Sequence, residues 1–312
     1  MNQQLPTISI IGFGALGALF ASIIANHIPF ENLRIVADVE RCKRYTDNGL
    51  AVNGKPIKLN YVTPEQSQSL VPADLVIVCT KYYHLEAVMP LIQSQIGDNT
   101  LIVSALNGIS SEAVLADAFG KDKVVYSVAQ QMDARKEGNQ LIYRDAGQLV
   151  IGAMTNEPTD ITNVERVRDI FTQVQLPHSV SADMPKNLWG KLMLNTGVNQ
   201  TVAFYEGTFD TVQEVGEPRE MFKAAMREVM AIANAEGVAL GEDDFNQWVT
   251  IMDNLDPTAM PSLRQDLKAG RDCEVELFAG TICKLGKKHG IATPVNDTLY
   301  EGIYKLMEKN RG

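Results

Sequence analysis

Short apolar runs alternate with stretches of helical spacing over the first half of the chain. Residues 7–11, 33–37, 75–80 and 100–104 are rich in β-branched and aliphatic side chains, as is typical of parallel strands covered on both faces. A segment with helical character follows each run, at residues 15–26, 40–48, 84–94 and 111–119. Strands that alternate with helices in this way predict a doubly wound α/β sheet.

Further elements complete the first part of the chain before the pattern changes near Asp183. Asn53-Gly54 predicts a hairpin within residues 52–62, and further strands are predicted at 124–130, 140–143 and 148–151, the last two as an antiparallel pair. A helix is predicted at 159–174. Beyond Asp183 only helical spacing remains, at residues 186–204, 217–236, 242–254, 261–269, 273–289 and 294–309. We therefore predict an α/β domain over residues 1–182 and an all-helical domain over residues 183–312.

Composition and charge exclude several classes of protein. The 312 residues carry 28 Lys and Arg against 38 Asp and Glu, a net charge of −10 without a long basic block, which argues against a nucleic-acid partner. Residues 1–30 carry no Asp, Glu, Lys or Arg, so the basic region of a signal peptide is missing, and glycines interrupt the apolar stretch that a membrane span would need. The four cysteines lie far apart without a C-x-x-C pair. We therefore expect no metal site and a soluble, cytoplasmic protein.

A glycine motif stands between the first predicted strand and the first predicted helix. Gly12-Phe13-Gly14-Ala15-Leu16-Gly17 matches G-x-G-x-x-G in the context that a dinucleotide site requires. Gly12 would allow the tight turn, Gly14 the approach of a pyrophosphate, and Gly17 the packing of helix on strand. The motif predicts a Rossmann-type dinucleotide-binding domain; the alternative is a glycine-rich turn without a ligand.

Asp38 completes this fingerprint at the end of the second predicted strand, about 20 residues after the last glycine. Its carboxylate would accept hydrogen bonds from the adenosine ribose and repel a 2′-phosphate, so it favours NAD(H) over NADP(H). Arg41 and Arg44 on the following helix are in a position to meet a 2′-phosphate instead. The alternative role of Asp38 is to cap that helix, which is compatible with ribose binding.

The predicted helix 186–204 carries the clearest candidate for chemistry. Lys191, Asn195 and Asn199 recur every four residues and so share one face of an otherwise apolar helix. They would bind a polar ligand; the alternative is a solvated face. Glu274 opens the predicted helix 273–289, where an acidic side chain also stabilises a helix N-terminus. Lys81 and Asn107 follow two predicted parallel strands, at the edge where doubly wound sheets bind ligands.

These residues belong to a set of motifs that resembles the ketopantoate reductase family and its 2-hydroxyacid dehydrogenase relatives over essentially the whole chain. In chain order the motifs are G-F-G-A-L-G, C-T-K at Lys81, L-N-G at Asn107, N-L-W-G-K-L-M-L-N-T-G-V-N around Lys191, P-S-L-R-Q-D at Ser262 and R-D-C-E-V-E at Glu274. The resemblance implies a Rossmann-type domain that binds the cofactor, a helical domain that binds the substrate, and, by analogy, a homodimer.

The resemblance also implies a role for each site residue. Lys191 would be the general acid that protonates the carbonyl oxygen of a 2-keto acid, and Glu274 would hold or tune that lysine. The implied substrate ligands are Asn107, Asn195, Asn199 and Ser262, and the implied cofactor ligands are Gly12, Gly14, Ala15, Leu16, Gly17, Asp38, Lys81 and Asn107. The physical chemistry agrees, because a developing alkoxide requires a positioned cation and a proton donor.

Departures from the family pattern refine the expected reaction. The sequence reads V-A-D-V-E-R where NADPH-dependent members carry an arginine, and Ala279 replaces an asparagine of the family. We therefore expect NAD(H)-dependent reduction of branched-chain or aromatic 2-keto acids to D-2-hydroxy acids. The alternative is NADPH-dependent reduction of ketopantoate to (R)-pantoate. A third hypothesis is a protein that senses a dinucleotide without catalysis.

Overall fold

The computed structural model describes residues 5–311, and it divides into two compact units, Met1–Met184 and Pro185–Gly312. The first unit contains all the strands of the described chain. They are β1 (Ile8–Ile11), β2 (Leu33–Val36), β3 (Leu50–Val52), β4 (Lys55–Ile57), β5 (Tyr61–Val62), β6 (Leu75–Val78), β7 (Leu101–Ser104), β8 (Val124–Gln130), β9 (Arg135–Glu137), β10 (Gln140–Ile142), β11 (Gln148–Gly152) and β12 (His178–Val180).

Eight strands form the main sheet of this unit, in the order β12-β11-β8-β7-β6-β1-β2-β5. All neighbours are parallel except β8 and β11. Apolar side chains of the central strands are buried on both faces: Ile10 and Ile77 lie in one cluster, and Ile11 and Val78 in another. This two-sided burial accounts for the continuous apolar runs and confirms the prediction of a doubly wound α/β fold.

The remaining four strands form a second sheet, β4-β3-β10-β9, which corrects two of our strand pairings. The turn at Asn53-Gly54 does join β3 and β4, but Tyr61–Val62 leaves the predicted hairpin and pairs with β2. Strand β10 pairs with β3 and β9, whereas β11 pairs with β8 and β12, so the predicted antiparallel pair of 140–143 and 148–151 is wrong. The prediction overlooked β9, which lies nearer to β10 than β11 does, and the more distant partners β3, β8 and β12.

Six helices of the first unit flank or connect its strands, and side chains cap two of them. The six helices are α1 (Ala15–Ile24), α2 (Val39–Asn48), α3 (Pro64–Ser67), α4 (Leu85–Gln93), α5 (Ser111–Phe119) and α6 (Pro158–Gln173). Asp38 caps α2, which Gly49 ends with a φ of 64°, and Thr63 and Gln66 form a capping box on α3.

The second unit is helical throughout its described part. Its helices are α7 (Met184–Phe204), which starts on the last residue of the first unit, α8 (Asp210–Gln213), α9 (Glu217–Ala235), α10 (Glu242–Asp253), α11 (Ser262–Lys268), α12 (Ala279–His289) and α13 (Pro294–Arg311). Helix α12 packs against α9 and α13, and Phe222, Ile282 and Leu299 are fully buried. No helix in residues 5–311 is long and apolar enough to span a membrane.

The predicted helix 273–289 is corrected at its N-terminal end. Val275–Leu277 form a 3-10 turn, Phe278 leaves helical geometry with φ −101° and ψ −97°, and α12 begins only at Ala279. Glu274 therefore precedes the 3-10 turn and does not lie in the first turn of an α-helix. The alternative role of Glu274, stabilisation of an α-helix from its first turn, is therefore not supported.

Candidate active site

The glycine motif forms a turn that tolerates no side chain at two of its positions. Gly12 has a φ of 95°, and a Cβ there would lie 2.7 Å from the carbonyl carbon of Cys79. A Cβ on Gly17 would lie 1.9 Å from the carbonyl oxygen of Gly12. Gly14 differs, because it is exposed and nothing lies within 4 Å of where its Cβ would be. The turn is thus closed towards the sheet and open on the side of Gly14.

The open side presents groups that suit a dinucleotide. Gly14 is the N-cap of α1 and makes no side-chain cap bond, so no cap side chain satisfies the first N–H groups of the helix, at Ala15 and Leu16, which is the arrangement that anion sites use. Thr80, whose backbone N–H borders Gly12, has a buried hydroxyl that bonds to no described residue. The cradle and the orphaned hydroxyl fit a bound pyrophosphate-containing cofactor.

Asp38 and Arg41 form a pair at the start of α2. One carboxylate oxygen of Asp38 accepts the backbone N–H of Arg41 at 2.7 Å, and the other lies 2.8 Å from its guanidinium Nη1. About half of each side chain is exposed. The predicted cap is therefore present, and the carboxylate remains accessible to a ribose hydroxyl.

An aromatic cluster at the glycine motif was not predicted from the sequence. Phe13 lies between Tyr45 of α2 and Tyr61 of β5, with ring centroids 5.0 and 5.7 Å away. Burial raises the pKa of Tyr61 to about 12, so its hydroxyl stays neutral. The cluster anchors the motif and α2 to one another, which fixes the position of Asp38 relative to Gly12.

Lys81 and Asn107 lie at the same edge of the sheet, as predicted from the strand ends. Strands β6 and β7 are parallel neighbours in the register Val78↔Ser104, and the two residues follow these strands. Both are half-buried. Gly108, next to Asn107, has a φ of 86°, so the chain turns sharply there.

Helix α7 of the second unit holds the predicted polar face. Lys191 and Asn195 are half-buried, and Asn199 is only 7% exposed. Within residues 5–310 no side chain or backbone group hydrogen-bonds to the carboxamides of Asn195 and Asn199. A carboxamide offers both hydrogen-bond donors and an acceptor, so this face of the helix suits a polar ligand.

Two glycines bring α7 close to its neighbours. A Cβ on Gly190 would lie 2.2 Å from Nε1 of Trp248 on α10, and one on Gly197 would lie 2.7 Å from Cγ of Met226 on α9. The helix is thus packed tightly against α9 and α10 on this side.

The last two predicted residues differ in exposure. Glu274 is 6% exposed, whereas Ser262, the first residue of α11, is exposed. The turn that follows Glu274 is anchored by Glu276, whose carboxylate accepts the hydroxyls of Tyr300 and Tyr304 at 2.6 and 2.5 Å. These hydrogen bonds raise the pKa of both tyrosines, and burial adds to the shift.

Both units match profiles of one family. The profile described as ketopantoate reductase PanE/ApbA matches residues 8–156, and the profile of its C-terminal region matches residues 183–306. The chain belongs to the ketopantoate reductase family. This family membership confirms the resemblance and makes the protein an oxidoreductase that uses a pyridine nucleotide in the NAD(P)-dependent reduction of 2-keto acids.

Curated relatives of this ketopantoate reductase family protein span nearly its whole length. The 2-dehydropantoate 2-reductase of Aquifex aeolicus is 25% identical over 302 residues, which cover 92% of this chain and 93% of the relative. That of Caulobacter vibrioides is 27% identical over 300 residues, covering 94% and 96%.

Solved structures share the fold. D-mandelate dehydrogenase with NADH and anilino(oxo)acetate superimposes with a TM-score of 0.86 at 21% identity, over 97% of this chain and 98% of the other. A ketopantoate reductase from Ralstonia eutropha gives a TM-score of 0.82 at 21% identity, over 98% and 99%. The Rossmann-type domain followed by a helical region is therefore the architecture of this family.

Proposed function

We propose that this protein catalyses the NAD(H)-dependent reduction of branched-chain or aromatic 2-keto acids to D-2-hydroxy acids. The observation that carries the proposal is the polar face of α7, where Lys191 stands on the same helix as two carboxamides without described hydrogen-bond partners. A 2-keto acid supplies the carboxylate and carbonyl oxygens that such a face would bind. The D configuration of the product rests on the family resemblance.

We assign the roles of proton donor and tuning group within the second unit. The Lys191 ammonium donates a proton to the carbonyl oxygen as negative charge develops there, which is where a positioned cation lowers the barrier. Glu274 holds the lysine in its charged, oriented form. Asn195 and Asn199 bind the substrate through hydrogen bonds, and Ser262 contributes a further hydroxyl. Residues 183–312 act as the substrate-binding domain.

Residues 1–182 act as the cofactor-binding domain. The backbone from Gly12 to Gly17 holds the pyrophosphate, Asp38 the adenosine ribose, and Lys81 and Asn107 the end of the dinucleotide that faces the substrate. When bound, the reduced nicotinamide supplies a hydride to the carbonyl carbon. Asn107 also binds the 2-keto acid, in agreement with its place at the carboxyl edge of the sheet.

We favour NAD(H) and an apolar substrate on two observations. The Asp38 carboxylate stands where a 2′-phosphate would be repelled, and it keeps Arg41 neutralised at 2.8 Å. Ala279 is fully buried and replaces a polar side chain of the family pattern, and the NADH complex of D-mandelate dehydrogenase shares the fold. NADPH-dependent reduction of ketopantoate is the second candidate, favoured by the names of the curated relatives. The resemblance to the ketopantoate reductase family also supports a homodimer.

Replacement of Lys191 by alanine tests this function. We expect Lys191→Ala to lower kcat by roughly 100- to 10,000-fold, the usual contribution of a general acid. The Kd of NADH, measured from the change in protein fluorescence on binding, should be unchanged. Lys186→Ala is the matched control, because Lys186 lies on the same helix and pairs with Asp244 at 3.3 Å on the partly exposed surface. A Lys191→Ala enzyme with full turnover would overturn the mechanism, and NADH binding without turnover in the wild type would favour the sensor.

A further inference from the structure

Gln200 connects α7 to the segment that carries Glu274. It follows Asn199 on α7 and is fully buried. Its Oε1 accepts a hydrogen bond from the backbone N–H of Ala279 at 3.0 Å, and its Nε2 donates to the carbonyl oxygen of Thr196 at 2.7 Å. Because Phe278 provides no side-chain cap at the start of α12, the amide of Gln200 caps that helix from a neighbouring one.

The other side of Gln200 is held by a buried network. Nε2 of Gln200 also donates to Oδ1 of Asn296, on α13, at 3.4 Å. Asn296 is fully buried, and its Nδ2 and backbone N–H donate to Oε2 of Glu228, on α9, at 2.7 and 2.9 Å. The network therefore joins α9, α13, α7 and α12 through satisfied hydrogen bonds, as rigid polar networks in protein cores require.

The segment between Glu274 and Ala279 has little regular structure of its own. It consists of the 3-10 turn Val275–Leu277 and of Phe278, whose φ and ψ lie outside the helical range. Its own backbone bonds are short-range, such as that from Leu277 N–H to the carbonyl oxygen of Glu274 at 3.0 Å, so the position of the turn also depends on its contacts with neighbouring helices. Gln200 holds the end at Ala279, and the tyrosine hydroxyls that bind Glu276 hold the middle.

We propose that Gln200 is a positioning residue, which sets Glu274 in register with Lys191 and Asn199 through its hydrogen bond to the N–H of Ala279. This inference rests on the proposed function, because it assigns to Glu274 an action on Lys191. Gln200 touches neither substrate nor cofactor in this account. Its effect passes through the backbone of one short turn. A small displacement of a catalytic group strongly lowers the rate of the reaction.

The test is a double-mutant cycle between Gln200→Met and Glu274→Gln. Methionine preserves the length and volume of the glutamine side chain and removes its hydrogen bonds to Ala279, Thr196 and Asn296. We expect Gln200→Met to lower kcat by roughly 10- to 100-fold, with the Kd of NADH unchanged. If Gln200 acts through Glu274, the Glu274→Gln replacement costs roughly tenfold less in the Gln200→Met background than in the wild type. Independent structural damage would instead give multiplicative losses.

Two further variants separate positioning from packing. Thr201→Val is the matched control, because Thr201 is the fully buried neighbour of Gln200 on α7 and its hydroxyl bonds to no described residue. We expect wild-type kcat for it and a thermal stability at least equal to that of the wild type, because the replacement removes an unpaired buried hydroxyl. Gln200→Glu is the rescue, since burial keeps the introduced acid protonated, and it then retains one donor and one acceptor. We expect Gln200→Glu to recover most of the activity that Gln200→Met loses.

The outcomes distinguish this inference from the proposed function. Loss of activity in Glu274→Gln with multiplicative effects in the double mutant overturns the role of Gln200 alone. Full turnover in both Lys191→Ala and Glu274→Gln overturns the proposed mechanism, and the positioning role with it. The role of Gln200 is established if the losses are not multiplicative, if Gln200→Glu recovers kcat, and if Thr201→Val leaves kcat unchanged.

Discussion

The contacts of Asp38 with Arg41 allow a quantitative prediction of the preference for NADH over NADPH. We compare Asp38→Ala with Asp38→Asn, because both remove the negative charge and only alanine removes the cap on α2. The carboxylate accepts the backbone N–H of Arg41 at 2.7 Å, and an asparagine carbonyl oxygen is able to do the same. Loss of the cap in Asp38→Ala costs about 1 kcal/mol of folding free energy, whereas Asp38→Asn keeps the wild-type Tm.

The expected change in selectivity has two parts. A hydrogen bond from a ribose hydroxyl to a charged carboxylate contributes about 1.5–3 kcal/mol, so its loss weakens NADH binding by roughly 10- to 100-fold. Removal of the carboxylate also relieves its repulsion of a 2′-phosphate, by about 1 kcal/mol for each unit of charge in a solvated site. Arg41, released from its 2.8 Å contact with Asp38, then becomes a counter-charge for that phosphate.

Steady-state kinetics with the best 2-keto acid measure this change. We expect the ratio of kcat/KM for NADH to that for NADPH to fall by roughly 100-fold or more in both variants, from the sum of these contributions. An unchanged ratio in both variants would refute the assignment of Asp38 to the ribose. A change confined to Asp38→Ala would show that Asp38 acts only as a helix cap.

Two other predictions test the glycine motif and an alkaline transition. We expect Gly17→Ala to unfold or strongly destabilise the protein, because its Cβ would lie 1.9 Å from a backbone oxygen, whereas Gly14→Ala keeps the wild-type Tm and weakens NADH binding, which calorimetry measures. A Gly14→Ala protein with wild-type affinity would contradict the cradle. The carboxylate of Glu276 raises the pKa of Tyr300, so their contribution to stability is present below the pKa of an unfolded tyrosine, about 10, and is lost as the pH rises above it. We therefore expect Glu276→Gln to flatten the fall of Tm above about pH 10, and an unaltered profile would contradict this coupling.

Central strands and capped helices follow from the sequence because their determinants are local. The runs at β1, β6 and β7 are apolar on both faces, and the turn at Gly12 and the cap at Asp38 have distinct residue signatures. Strand pairing in the second sheet was not predictable in this way. Strand β9 (Arg135–Glu137) is charged and largely exposed, so the hydrophobic pattern did not indicate a strand there, and β10 also pairs with β3, which lies far away along the chain.

The candidate site likewise contains parts that were predictable from local sequence and parts that were not. The polar face of α7 follows from helical spacing, and Lys81 and Asn107 follow from their places after strands. The 3-10 turn after Glu274 was missed because the apolar spacing continues through Val275 and Phe278 into α12 as if one helix were present. Gln200 was missed because its partner is a backbone N–H on another helix, which no sequence spacing reveals.

The most direct test of the account is the oxidation of NADH and NADPH by the purified protein with 2-ketoisovalerate, phenylglyoxylate and ketopantoate, followed at the absorbance of the reduced nicotinamide. The account predicts turnover with NADH on the two apolar acids, with kcat/KM at least roughly tenfold higher than with NADPH, as the charge of Asp38 requires. Turnover confined to NADPH and ketopantoate would contradict the assigned cofactor and substrate class.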